Sequence, residues 1–320
     1  MVKSTYCIIG ATGFLGRHLL RHLATNPIRS VRCLSRKTQA PTEPMAIEWL
    51  TGDLHDERAL QSLISKDTIV INLGYDSSAT RDANVIAART LGRVCVAAQA
   101  QRLVHISTAT VVGRTRDNLI CESTRCAPHS EYEQTKLDIE DALLSETKDT
   151  LATTVIRPVA VFGEGGQNLL QLARRVADSN FVSRQFLACL HGMRRMNLVA
   201  SENVVAAIAY LANATSDISQ GLFIVSDDDS ANNNYAYVES RLALAFGKAA
   251  HPSRTFSLPT PLLSLLLRTR GRSNVNPYRR YSCDRLLNAG FTHPAQFETA
   301  LDAYAAHLAA QWTRVHRISG

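Results

Sequence analysis

The stretch CIIGATGFLGRHLLRHLA, residues 7–24, decides the fold. Apolar Cys7, Ile8 and Ile9 run into Gly10, Gly13 and Gly16 follow at intervals of three, and from Phe14 onward apolar residues return every three or four positions. That is a short buried strand turning sharply into an amphipathic helix. A turn stripped of side chains lets backbone amides close on a phosphate, and the start of the following helix adds positive potential. Gly10, Thr12, Gly13, Phe14, Leu15 and Gly16 are therefore the candidate pyrophosphate-binding segment.

The rest of the chain repeats the same alternation. The β-rich runs YCIIG, VRCLS, AIEWL, TIVINLG, LVHIST, TTVIRP and LFIVS are separated by segments with helical periodicity, such as RALQSLIS, NVIAARTLGRVCVAAQA and YEQTKLDIEDALL. Strands alternating with crossover helices predict an α/β fold, a doubly wound parallel sheet of Rossmann type. We expect residues 1–165 to form the dinucleotide-binding domain, with about 198–248 returning to it, and residues 166–197 and 249–320 to form a smaller substrate-binding domain. Most of the prolines lie from His251 onward, as a separate layer would have.

Composition narrows the function classes. The 320 residues are 45% apolar and 20% charged, ample for a large core, so a soluble globular protein is expected. The formal charge of +7, carried mostly by arginine, suits anionic ligands such as phosphates. Basic residues are scattered without interleaved aromatics, which argues against a nucleic-acid partner. Seven dispersed cysteines with no CxxC pair suggest neither a disulfide framework nor a metal site. No secretion signal precedes the first strand, and the leucine-rich run at 262–267 is far shorter than the roughly 20 residues of a membrane span. A cytoplasmic protein without an integral membrane segment is the expectation.

Each strand end supplies a candidate. After the second strand comes Ser35-Arg36-Lys37 in place of an acid, so Arg36 can hold a 2′-phosphate and NADP is favoured, with NAD as the alternative. After the third, TGDLHD offers Asp53, which reads equally as a cap for the helix that follows. Gly74 follows the fourth, either for close approach to a cofactor or as a plain turn. HISTATVVG ends the fifth with hydroxyls at Ser107 and Thr108, and YEQTK places Tyr132 and Lys136 one helical turn apart. An ammonium beside a phenol, together with an oxidised nicotinamide, is expected to lower the phenol's pKa from about 10 toward the working range, so that Tyr132 can pass a proton while hydride moves.

The ordered set GATGFLG, GDLHD, Asn84-Val85, HISTATVVG, YEQTK, RPVAVFG and VSDD resembles the extended short-chain dehydrogenase/reductases, a superfamily of nucleotide-sugar epimerases, dehydratases and 4-keto reductases with some steroid and flavonoid reductases. That resemblance implies that Thr108 binds the reacting oxygen, that Tyr132 is the acid/base, and that Lys136 holds the ribose hydroxyls. It implies further that Asp53 and Leu54 meet the adenine. The sequence departs from the family at Val112, where an aromatic is usual, and at Glu202 and Asn203, where aspartate is frequent.

GGQNLLQL, VSDD and CDRLLNAGF resemble bacterial polysaccharide-biosynthesis members most. This implies a nucleotide-sugar substrate with chemistry at carbon 4 of an activated hexose, and Asn168, Arg194 and Arg279 are the candidates for holding its diphosphate. An epimerase retaining NAD and a reductase exchanging NADPH fit the same residues. Two other readings stand beside them: a reductase of an apolar ketone, favoured by an apolar pocket around PTPLLSLLL, residues 259–267, with no convergent arginines, and a non-catalytic NADP sensor. A homodimer through the NVIAARTLGRVCVAAQA and YEQTKLDIEDALL helices is the assembly the family implies.

Overall fold

Each of the seven apolar runs becomes a strand of one parallel sheet in a computed structural model that describes residues 5–25, 30–37, 47–214, 220–250 and 276–318. The leucine-rich run at 262–267 lies outside the described residues. The strands are β1 (Thr5–Ile9), β2 (Ser30–Ser35), β3 (Ile47–Thr51), β4 (Thr68–Asn72), β5 (Arg102–Ile106), β7 (Thr153–Pro158) and β10 (Gly221–Val225). Their spatial order is β10-β7-β5-β4-β1-β2-β3. The order reverses at β1, beside which such sheets bind their ligands. Ile9 aligns with both Leu34 and Asn72, and Asn72 aligns with His105. The carboxyl ends of β1, β2, β4 and β5 therefore finish at one level, and the turns that follow them share a crevice.

Inner strands are buried on both faces, which is why they read as near-continuous apolar runs instead of alternating ones. On one face, Leu19 and Leu23 of α1 (Phe14–Ala24) and Val205 and Ile208 of α7 (Ser201–Ala212) pack over Ile8, Ile71 and Val104. On the other, Leu91 and Val94 of α3 (Arg81–Ala97) and Ile139 and Leu143 of α4 (Glu131–Thr147) pack over Cys7, Val70 and Leu103. The short helix α2 (Glu57–Leu63) closes this second face through Leu60 and Leu63.

A third cluster forms the smaller layer. It joins α5 (Leu170–Asp178) and α8 (Tyr235–Ala245) to the long helix α10 (Phe297–Ile318) through Val176, Val238, Leu242 and Leu301. Val238, Leu242 and Ala243 of α8, a helix inside the 198–248 stretch, pack in this cluster. The remaining elements are β6 (Leu119–Ile120), β8 (Ala160–Phe162), α6 (Phe181–His191), β9 (Leu198–Ala200), β11 (Arg280–Tyr281) and α9 (Asp284–Asn288), with β6 paired to β11 and β8 to β9.

The VSDD stretch clamps the layers together. Asp227 accepts from Ala200 N at 2.9 Å and from Asn203 Nδ2 at 2.9 Å, and lies 3.1 Å from His293 Nδ1. Asp228 accepts from Asn197 Nδ2 at 2.7 Å and from Tyr281 N at 2.8 Å. Asn203, one of the family departures, is thus a buried latch that also holds both the amide and the carbonyl of Ala295. Among the described residues, no helix is long and apolar enough to cross a membrane.

Candidate active site

Gly10 leaves β1 at φ +84, a conformation that L side chains rarely adopt, and a Cβ there would stand 2.9 Å from the carbonyl carbon of Leu73. Gly16 meets a harder limit, since its Cβ would fall 2.4 Å from the carbonyl oxygens of Gly10 and Ala11. The helix can start this close to the strand only without those side chains. Gly13 caps α1 with no side-chain hydrogen bond and no acid in the first turn, so the positive helix end is left to an anion.

Of the predicted dinucleotide residues, Gly10, Thr12, Gly13, Arg36, Asp53, Leu54 and Gly74 line one cleft of about 200 Å³. Phe14 and Leu15 do not line it and pack against the core, while Gly16 provides the close helix–strand approach. Asp53 is not the helix cap: that role falls to Asp56, whose Oδ1 accepts from Arg58 N and Ala59 N, while the Asp53 carboxylate accepts from His55 N at 2.9 Å. The residue types and the bare helix start fit a dinucleotide, whose pyrophosphate Gly10–Gly13 would hold and whose adenosine end Arg36, Asp53 and Leu54 would hold.

The cleft's inner end meets the catalytic candidates. Thr108 follows β5 and caps a short 3₁₀ turn over Ala109–Val112, its hydroxyl lying 3.1 Å from that of Thr110. Ser107, the other hydroxyl, is buried, and its Oγ has no partner among the described residues. Val112 is fully buried in the core, which removes it from the edge of the site where the family's aromatic was expected.

Ser130 and Glu133 form a reciprocal capping box at the start of α4, and buried Arg157 on β7 grips Glu140 further along with Nε at 3.0 Å. These contacts set the rotation of the helix so that Tyr132 and Lys136 face the strand ends. Tyr132 is 45% exposed, and its hydroxyl makes no hydrogen bond among the described residues. Lys136 is 4% exposed and donates to Ile106 O at 3.0 Å.

Between the cleft and the Tyr132–Lys136 pair stands Tyr75, which sequence reasoning missed. Its ring meets the Tyr132 ring edge-on with centroids 5.4 Å apart, and Lys136 Nζ lies 5.4 Å from its centroid. Nothing periodic marks a single aromatic after Gly74. Asn72 was also missed: its amide reaches Gly74 N at 3.0 Å and, on its other side, Nδ1 of fully buried His105 at 3.2 Å.

The electrostatics correct one expectation. Burial pushes the Tyr132 phenol up, with Tyr75 and Glu133 adding to the shift, and Lys136 supplies none of the lowering that the sequence suggested for the lysine together with an oxidised nicotinamide. The Lys136 amine is directed to the Ile106 carbonyl, and burial lowers its own pKa to about 8 against the opposing charge of Glu140.

A stability prediction follows, because the ordinary lysine value is 10.5. Between about pH 8 and 10.5 the unfolded chain holds this proton and the folded chain does not, so raising the pH across that window adds up to about 3 kcal/mol of stability. Lys136→Met is expected to lose that rise and, at pH 7, to exceed the parent's stability by up to the same amount, about 3 kcal/mol less the lost Ile106 hydrogen bond. Urea unfolding of both proteins at pH 7 and 9.5 checks it. Equal pH dependence in the two would refute the burial account.

Each substrate candidate has its own place in the fold. Arg279 is fully buried, and its guanidinium donates to Gly113 O at 2.9 Å and Thr115 O at 2.7 Å. It braces the loop behind Thr108, which leaves it unable to reach a substrate diphosphate. Asn168 is exposed and donates to Val161 O at 2.7 Å. Arg194 is half-buried in the turn after α6, where its carbonyl accepts from Tyr235 N.

Comparison with known proteins bears on this geometry. The family model described as the NAD dependent epimerase/dehydratase family matches residues 6–225. Among curated relatives, the chain is similar to the ceramide reductase of Caulobacter vibrioides, 28% identical over 263 residues that cover 81% of this chain and 75% of that protein. It is also similar to the decarboxylating sterol-4-alpha-carboxylate 3-dehydrogenase of Candida albicans, 28% identical over 69% of each protein. Among solved structures, a short-chain dehydrogenase/reductase superfamily protein from Agrobacterium tumefaciens with bound NAD matches with a TM-score of 0.72 at 20% identity, covering 98% of this chain and 99% of that one. At that identity the match is a likeness of fold.

Proposed function

The chain belongs to the NAD dependent epimerase/dehydratase family, and from that premise we propose that it is an NADPH-dependent reductase of a ketone on an apolar, lipid-like substrate. The nicotinamide, when bound, supplies the hydride. Everything else falls to side chains. The Thr108 hydroxyl donates to the substrate carbonyl and fixes its oxygen beside Tyr132. The Tyr132 phenol gives its proton to that oxygen as hydride reaches the carbon, so ketone, hydride and proton become one alcohol. Its half-exposed position lets the phenolate regain a proton from solvent. Lys136 holds the ribose and, while protonated, offsets the phenolate's charge.

The position of Arg279 carries the substrate class. With that guanidinium on two backbone carbonyls, one of the three candidates for a diphosphate contact is withdrawn. The names of the ceramide and sterol relatives point the same way. So do the exposed apolar side chains of α6, where Val182 is 74% and Phe186 64% exposed. The test is NADPH oxidation by the purified protein with long-chain 3-keto lipids and sterol 3-ketones, set against UDP- and dTDP-4-keto hexoses. Turnover of the apolar ketones is expected; turnover of the nucleotide sugars alone would restore the reading in which Asn168 and Arg194 hold a diphosphate and the chemistry is 4-keto reduction or epimerisation.

Arg36 supports NADP over NAD. It lines the cleft beyond β2, and its charge reaches Asp76 across it, whose carboxyl is held low by Ser78 first and then by His55 and Arg36. Arg36→Ala is expected to raise the NADPH KM about tenfold and to leave NADH within about twofold, as loss of a charge-assisted phosphate contact would. Equal effects on both cofactors would contradict the assignment.

A homodimer is also proposed. Ile86 on α3 and Leu144 on α4 are exposed on adjacent helices, as the expected four-helix contact needs. Sedimentation should return twice the 35.1 kDa chain mass.

A further inference from the structure

We infer that Tyr75 is a side-chain gate that covers Lys136 and must rotate away before the nicotinamide ribose can be held. The inference rests on the dinucleotide reading above and adds a residue to it. Lys136 is the group assigned to the ribose, yet it is 4% exposed, its Nζ is engaged by Ile106 O, and the Tyr75 ring stands 5.4 Å from it. The same ring lines the cleft that holds Gly10, Gly13 and Arg36. It therefore separates the ammonium from the space that a ribose would enter.

Two attractions hold the ring there. The ammonium faces its π surface, a contact that strengthens as the cation loses water, and Tyr132 packs edge-on against it. The backbone on either side is pinned: Gly74 N donates to Asn72 Oδ1 at 3.0 Å, while Asn84 accepts from Asp76 N at 3.3 Å and donates to Asp76 O at 2.9 Å. Opening is thus a rotation about the Tyr75 side-chain bonds, with the loop unmoved. Each binding event has to displace the ring, so the apparent affinity is lowered by the fraction of molecules already open. The gate also sets the site's chemistry, because it keeps the amine dry until cofactor replaces the ring.

Tyr75→Ala removes the ring and Tyr75→Phe keeps it. By equilibrium titration of NADPH fluorescence, the alanine variant is expected to bind roughly fivefold to tenfold more tightly than the parent, and the phenylalanine variant within about twofold of it. An amine-reactive label followed by peptide mass spectrometry should modify Lys136 faster in the alanine variant, with protection by NADP⁺. An NADPH dissociation constant that is unchanged or raised in Tyr75→Ala would overturn the gate, since a ring that stacks on bound cofactor would weaken binding when removed. Failure of NADPH to bind the parent and both variants would instead sink the dinucleotide reading, and the gate with it.

Discussion

Tyr132→Phe is expected to lower turnover by about 10²- to 10⁴-fold while NADPH affinity stays within about twofold of the parent. The substitution deletes one oxygen from a half-exposed ring whose hydroxyl makes no hydrogen bond among the described residues, so no structural partner is left unsatisfied. The ring remains to pack against Tyr75. A structural role for Tyr132 would leave turnover close to the parent's, and a cofactor-binding role would move affinity together with rate. Stopped turnover with intact binding is the signature of a lost proton donor. Burial has already pushed the phenol up, so the acid form is the one present at neutral pH, as reduction requires.

Arg279→Leu is expected to cost about 3–5 kcal/mol of stability, because it strands the carbonyls of Gly113 and Thr115 inside the protein. Gly113 sits at φ +62 in the loop that leaves the Thr108 turn, and its carbonyl has the guanidinium at 2.9 Å. Thermal and urea unfolding of the variant measure the loss. A diphosphate-binding arginine behaves differently: its removal leaves stability near the parent's and raises the KM for a nucleotide sugar. The two outcomes separate a brace from a ligand, and with them the apolar-ketone and nucleotide-sugar readings.

The parts legible in the sequence are those governed by local rules. Inner strands, buried on both faces, announce themselves as short apolar runs, and with the edge strands β3 and β10 all seven runs became neighbours in one sheet. The glycine turn was legible because its spacing answers a steric demand, seen at Gly16 as a 2.4 Å clash with any side chain. The shared helix turn of Tyr132 and Lys136 was legible from their spacing, and Lys136 Nζ reaches Ile106 O, two residues before Thr108.

What escaped depends on contacts between distant segments. An arginine in NPYRRYS reads as a surface cation, and only the packing of Arg279 against Gly113, 166 positions away, turns it into a buried brace. Asp227 and Asp228 read as a family signature, whereas they clamp β9, α7 and the C-terminal segments. The helical spacing of Tyr132 and Lys136 was right, but spacing does not say where the lysine's long side chain turns, and it turned to Ile106. Tyr75 carries no pattern at all, since its importance comes from two neighbours on α4.

The central claim is that a phenol and a threonine hydroxyl share one oxygen-binding point over a nicotinamide. A crystal structure of the protein with NADP⁺ measures it directly. The account predicts the pyrophosphate on Gly10–Gly13, Lys136 on the ribose, and the hydroxyls of Thr108 and Tyr132 both within roughly 3 Å of a single point beside the reactive ring carbon. A bound dinucleotide whose nicotinamide lies away from Tyr132, or a phenol turned into solvent with Lys136 still on Ile106, would contradict it.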